Sequence, residues 1–243
     1  MGGHLATIYA ALHNEYIKNL IVLATPIDTS RSVLVDLWTD KEKLDIDRLV
    51  DAFGNVPARM MQKIFSLVRD KMEKNYFGDI SAQAAVAKWS NDNIDIAGEA
   101  FRKYVKKCFQ ENLLCQNKLV IDGEKVELNK IVSNLCVITG DDDWVAPYHA
   151  TIALHELVSS INRKTLMIEG GHLGFIVKQN SKKIWEKLHR WLMSVEDKEL
   201  QKVKSVTELK KLAKKKKSPS VKKTAKQKSK PKLEKETDKQ KVK

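Results

Sequence analysis

Two short loops hold the residues whose types and spacing could do chemistry. In Thr139-Gly140-Asp141-Asp142-Asp143-Trp144-Val145-Ala146-Pro147, three acids follow an apolar run, and Pro147 stands where prolines often open a helix. In Glu169-Gly170-Gly171-His172-Leu173-Gly174-Phe175, a histidine sits among glycines that let the chain turn tightly. Asp143 and His172 are 29 residues apart. Such a pair can relay a proton: the carboxylate holds one imidazole nitrogen, and the other takes a proton from a nucleophile. Taken singly, the first loop could equally cap a helix and the second could be a plain turn. Their joint order points to chemistry. A nucleophile is not evident, because neither Gly-x-Ser-x-Gly nor Gly-x-Cys-x-Gly occurs in residues 1–243.

Both loops follow short continuous apolar runs, Asn134 to Gly140 and Lys164 to Gly170. A third such run, Asn19 to Thr25, is closed by Pro26. Runs of this kind suit strands buried on both faces of a parallel sheet. Apolar residues at helical spacing (Leu5, Ile8, Tyr9, Leu12, Tyr16, Ile17) predict a helix over residues 1–19, and similar patterns cover Tyr148 to Ile161 and Lys182 to Met193. Helix, strand, long excursion, strand, helix, strand, helix is an α/β order. The excursion, about residues 29–116, holds helical patterns at Lys43–Phe53, Pro57–Lys71, Ile80–Lys88 and Ile96–Glu111. An insertion of that size between strands of one sheet is expected to form a cap over the ligand crevice. Residues 119–128 read as a small hairpin turning at Asp122-Gly123.

The chain of 243 residues has a formal net charge of +13, concentrated at one end. Residues 201–243 hold 18 lysines and four acids, an excess of 14 positive charges, leaving residues 1–200 at −1. That stretch has no aromatic residue and few apolar ones, so disorder is expected beyond about Ala213, with a short helix over Val206–Leu212. Its lysines suit non-specific polyanion contact by counterion release, without the residues needed for sequence readout. No apolar stretch is long enough to span a membrane and no signal sequence opens the chain, so a cytoplasmic protein is expected. Ala6 breaks the myristoylation pattern that Gly2 begins. Cys108, Cys115 and Cys136 lack the spacing of zinc or redox pairs; Cys136 lies in an apolar run and is expected to pack in the core.

An acid after one strand and a histidine after the next is the chain order of the α/β-hydrolase triad. Residues 1–194 further resemble the catalytic subunit of class III poly(3-hydroxyalkanoate) synthases, which carry a lipase-like box with a cysteine nucleophile. The likeness lies in Met1-Gly2-Gly3 before an amphipathic helix, in Leu20–Asp28, Leu37-Trp38-Thr39, Ala97–Arg102 and Val120–Gly123, and above all in Gly140–Pro147 and Gly170–Gly174. It departs at Trp144, where that family often has His, and at His4, where Thr is common.

The resemblance implies a truncated α/β-hydrolase fold in residues 1–200, with a mainly helical cap and a disordered Lys-rich tail over 201–243. It makes Asp143 the triad acid and His172 the general base, and puts the nucleophilic cysteine immediately before Met1, whose backbone N–H would be an oxyanion donor. The expected substrate is 3-hydroxyacyl-CoA, polymerised with release of coenzyme A and without a separate cofactor or metal. A chain lacking that cysteine is expected to be inactive alone, and its partners would be a second synthase subunit or a separately encoded N-terminal fragment, at a polymer-granule surface. Two other readings stay open: a non-catalytic interaction protein using its Lys tail, and a remnant of an ordinary α/β-hydrolase.

Overall fold

The computed structural model describes residues 1–31, 39–63, 84, 87–89, 91–172, 174 and 181–216. Three parallel strands make the main sheet: β1 (Asn19–Leu23), β4 (Asn134–Gly140) and β5 (Arg163–Ile168), in the order β1-β4-β5. Every residue of β4 is buried, as its unbroken apolar run requires of a central strand. Register is pinned at the amino ends. Asn134 donates to the Asn19 side-chain oxygen at 2.9 Å, and Asn162, just before β5, donates to that of Asn134 at 2.7 Å. These amides stack across all three strands, so slipping one strand by a residue would unpair them.

Helices cover both faces. On one, α1 (Gly2–Leu12) packs over β1 while α4 (Tyr148–Ile152) and α5 (Leu154–Leu157) follow β4. Ile8, Leu20, Val22, Leu135, Val137, Leu154 and Val158 join in the core there. On the other face, Cys136, Ile138 and Leu166 meet Ile184 and Leu188 of α6 (Ser181–Lys216). Burying a side chain of this size stabilises the fold by about 1.5–3 kcal/mol. The antiparallel pair β2 (Val120–Ile121) and β3 (Glu124–Lys125) turns at Asp122 and Gly123, both at positive φ (49° and 86°). That is the turn expected for Asp-Gly.

Two expected helices end early. Residues 1–19 form α1 and then a separate 3-10 turn at Asn14–Tyr16, and residues 148–161 form α4 and α5. In the excursion, α2 (Ile46–Phe53) begins where Asp45 caps the Arg48 amide at 3.0 Å. It packs on α3 (Gly98–Tyr104), which continues as a π-helical turn over Val105–Gln110. Ile46, Val50, Val56, Met61, Phe101 and Val105 give this region a core of its own. Of the helices expected at Pro57–Lys71 and Ile80–Lys88, only residues 57–63, 84 and 87–88 lie within the described residues, and Leu37-Trp38 lie outside them.

The chain divides into two compact units, Met1–Asp197 and Lys198–Lys243. Helix α6 runs past Met193, where the expected helix ends, to Lys216, and takes in the helix expected over Val206–Leu212. Residues 194–216 contain no glycine or proline and are rich in Lys, Leu and Glu. Local propensity can sustain such a helix without burial, which a test based on buried apolar surface misses. Residues 217–243 lie outside the described part.

Candidate active site

Parallel strands deliver their carboxyl ends to one side of a sheet, and adjacent strands lie about 4.8 Å apart. The loops after β4 and β5 therefore meet. Gly140 closes β4 against the next loop, since a Cβ there would lie 2.2 Å from the Gly170 carbonyl oxygen. Backbone and side chain then tie the two loops together. Asp141 N donates to Ile168 O at 3.0 Å, Asp142 N donates to Gly170 O at 3.3 Å, and Gly170 N donates to Asp141 Oδ1 at 2.6 Å.

This frame brings the two expected site residues into contact. His172 Nδ1 lies 2.9 Å from Asp143 Oδ2. The other carboxylate oxygen, Oδ1, accepts from the amides of Val145 at 3.0 Å and Ala146 at 2.8 Å, so both oxygens are occupied and the carboxylate cannot swing away. The Asp143 side chain is fully buried, whereas that of His172 keeps 31% exposure. An imidazole held through Nδ1 presents Nε2 as the nitrogen able to take a proton. Two of the loop's three acids thus have separate work: Asp141 fastens the loops and Asp143 holds the histidine.

The head of α1 lies at the same end of the sheet. Gly3 packs against Thr25, immediately beyond β1, where an added Cβ would come within 1.9 Å of the hydroxyl oxygen. His4, buried in the first turn, donates from Nε2 to the Pro26 carbonyl at 3.0 Å. A carbonyl can only accept, so Nδ1 is the acceptor for the Tyr104 hydroxyl at 3.0 Å. Burial, with the nearby terminal amine adding to it, depresses the His4 pKa to about 3. Met1 caps α1, and desolvation lowers the pKa of its amine. In the sequence His4 stands out only as a departure from the family it resembles; a histidine in an apolar helix is the one local signal for its buried network.

The thiols are placed differently. Burial pushes Cys108 and Cys136 up to about 11, leaving them poor nucleophiles near neutral pH. Cys115 is half-buried and also raised by burial. Among the described residues no cluster of His, Cys, Asp and Glu could hold a metal ion, and no helix is long and apolar enough to cross a membrane.

A parallel sheet covered on both faces, with an acid and a histidine joined beyond adjacent strand ends, defines a class. The chain belongs to the alpha/beta hydrolase fold family, whose model matches residues 1–179. Within that class it is similar to the poly(3-hydroxyalkanoate) polymerase subunit PhaC of Haloferax mediterranei, 31% identical over 208 residues, covering 79% of this chain and 42% of that protein. PhaC of Allochromatium vinosum is 30% identical over 204 residues, covering 79% of this chain and 57% of that protein. The chain thus spans about half the length of the curated relatives it matches. Among solved structures, a soluble variant of monoglyceride lipase from Saccharomyces cerevisiae shares the fold with a TM-score of 0.52 at 12% identity, over 79% of this chain and 61% of that one.

Proposed function

We propose that this chain supplies the acid–base half of a poly(3-hydroxyalkanoate) polymerase, an acyltransferase acting on 3-hydroxyacyl-CoA. Asp143 orients His172, and His172 is the general base. The thiol it activates belongs to a cysteine just before Met1, at the head of α1, where the Met1 N–H can donate to the developing oxyanion. His172 takes the thiol proton and the thiolate attacks the thioester carbonyl. Coenzyme A leaves as its thiolate and recovers the proton from His172. A 3-hydroxyl group, deprotonated in turn by His172, then attacks the acyl-cysteine thioester; the new ester bond forms, the C–S bond breaks, and the cysteine leaves as its thiolate and recovers the proton from His172, with the polyester one unit longer. The thioester itself brings the acyl group and the leaving group, so the proposal invokes no further cofactor. On this reading the protein works at the surface of polymer granules.

The observation that carries the reading is the 2.9 Å contact between Asp143 and His172 at the end of the sheet where α1 begins. Its test is a fusion in which the full chain follows the N-terminal part of the Allochromatium vinosum subunit, up to and including its nucleophile. The fusion is expected to release coenzyme A from 3-hydroxybutyryl-CoA, and His172→Ala to lower that rate at least about a thousandfold. The chain alone is expected to release no more than its own His172→Ala variant. Release that ignores His172 in the fusion would refute the assignment.

A further inference from the structure

Helix α6 changes character along its 36 residues. Its first part packs on the sheet through Ile184 and Leu188, and Val195 is buried as well. Beyond Asp197 it enters the second compact unit, Lys198–Lys243, where every side chain described between positions 198 and 210 is exposed. Residues 198–216 hold eight lysines against Glu199 and Glu208, an excess of six positive charges on a helix about 28 Å long. Residues 217–243 add eleven lysines and three acids. The second unit therefore carries +14, and residues 1–197 carry −1.

Where the apolar residues stand decides among partners for such a helix. Leu200, Val203, Val206, Leu209 and Leu212 recur at every third position. Three residues advance an α-helix by about 300°, so each falls about 60° behind the last and the five spread over about 240° of the circumference. A helix lying in a lipid surface gathers its apolar residues on one face, and a coiled coil repeats them every 3.5 residues. This spacing does neither. Residues 198–243 also contain no aromatic residue, which removes both the interfacial anchors of a membrane-bound helix and the platforms on which single-stranded bases stack. They contain no Arg to read a guanine edge with two hydrogen bonds. What remains is a dense set of ammonium groups, which meet phosphates as point charges. Duplex DNA presents one negative charge per ~1.7 Å of its axis, and lysines that neutralise those charges release condensed counterions.

We infer that Lys198–Lys243 is a binding module for duplex DNA, which holds the phosphate backbone without reading base sequence. The lysines of residues 198–216, like the apolar residues between them, fall on all sides of the helix, so no single orientation on the duplex is selected. That suits a grip indifferent to sequence. Residues 1–197, at −1, add no attraction of their own. If half of the fourteen excess charges meet phosphates, the logarithm of the affinity falls with the logarithm of salt concentration at a slope of about −6. Binding asks nothing of Asp143 or His172 and is independent of the proposed function.

The test is fluorescence anisotropy of labelled DNA titrated with the purified full chain, from about 50 to about 200 mM salt. Two duplexes of about 30 base pairs and unrelated sequence are expected to bind within about twofold of each other, with the slope of about −6. A single strand of the same length should bind at least about tenfold more weakly, and so should vesicles containing about 30% phosphatidylglycerol. Replacing all eight lysines of residues 198–216 by Gln, which keeps helix propensity, is expected to weaken duplex binding at least about tenfold and to bring the slope to about −3. The triple variant Lys41→Gln, Lys103→Gln and Lys118→Gln, at exposed positions of the first unit, should change neither. Unchanged urea midpoints show that both variants still fold. The inference is overturned if the full chain leaves the duplex free at 50 mM salt, if it prefers vesicles or single strands, or if it favours one duplex sequence more than about tenfold. It is overturned equally if the eightfold variant keeps the parent slope or the triple variant loses as much.

Discussion

His4 offers the sharpest perturbation of the folded chain by itself. It is buried with both ring nitrogens engaged, and its pKa falls from the ordinary 6.5 to about 3. A base depressed in this way takes up protons in the unfolded chain before it does so in the folded one. Its contribution is therefore fully present above about pH 6.5 and is lost as pH falls through 6.5 toward 3. Between about pH 7.5 and about pH 5 that loss comes to ~2 kcal/mol. Carboxylates titrate mainly below this window, near pH 4. His155, lowered by its own burial, contributes in the same direction, so a variant is needed to isolate His4. His4→Gln keeps a donor for Pro26 and an acceptor for Tyr104 but has no charge to gain. Urea unfolding at the two pH values should move the midpoint about 1 M further in the parent chain than in the variant, taking a slope of roughly 2 kcal/mol per molar urea. Equal midpoint shifts in the two proteins would refute the reasoning, because the proton would then not be entering at His4.

Gly140→Ala is expected to cost about 2 kcal/mol, since the new Cβ would meet the Gly170 carbonyl at 2.2 Å and force the two site loops apart; an unchanged urea midpoint would contradict the close approach. Thiol labelling at about pH 8 should modify Cys115 first and reach Cys108 and Cys136 only on unfolding, because burial raises both to about 11. Rapid modification of Cys108 in the folded chain would reopen it as a nucleophile.

What was legible in the sequence was whatever a local pattern dictates. Three short apolar runs became parallel strands, but only β4 is buried along its whole length, while β1 is exposed at Ile21 and β5 at Arg163, Lys164 and Met167; Asp122-Gly123 formed the expected tight turn. The acid and the histidine were legible because they stand directly after such runs, where chain geometry leaves them little freedom. The Asn19, Asn134 and Asn162 ladder was not, since amides 115 residues apart in the chain carry no local signal of their pairing. The same holds for Thr29, whose hydroxyl donates to the Cys108 carbonyl across 79 residues and supports the π-helical turn. The length of α6 was not legible for the opposite reason: past Met193 its described side chains are mostly exposed, so helix propensity rather than an apolar stripe supports it.

The two halves of the candidate site therefore rest on different supports. Asp143 and His172 are held by loops that bond to each other, in a frame drawn from the two strand ends of β4 and β5. The head of α1 depends on β1, which among the described residues pairs with β4 alone. A change that frays β1 should leave the Asp143 to His172 contact in place while displacing the first turn of α1 and its His4 bond to Pro26.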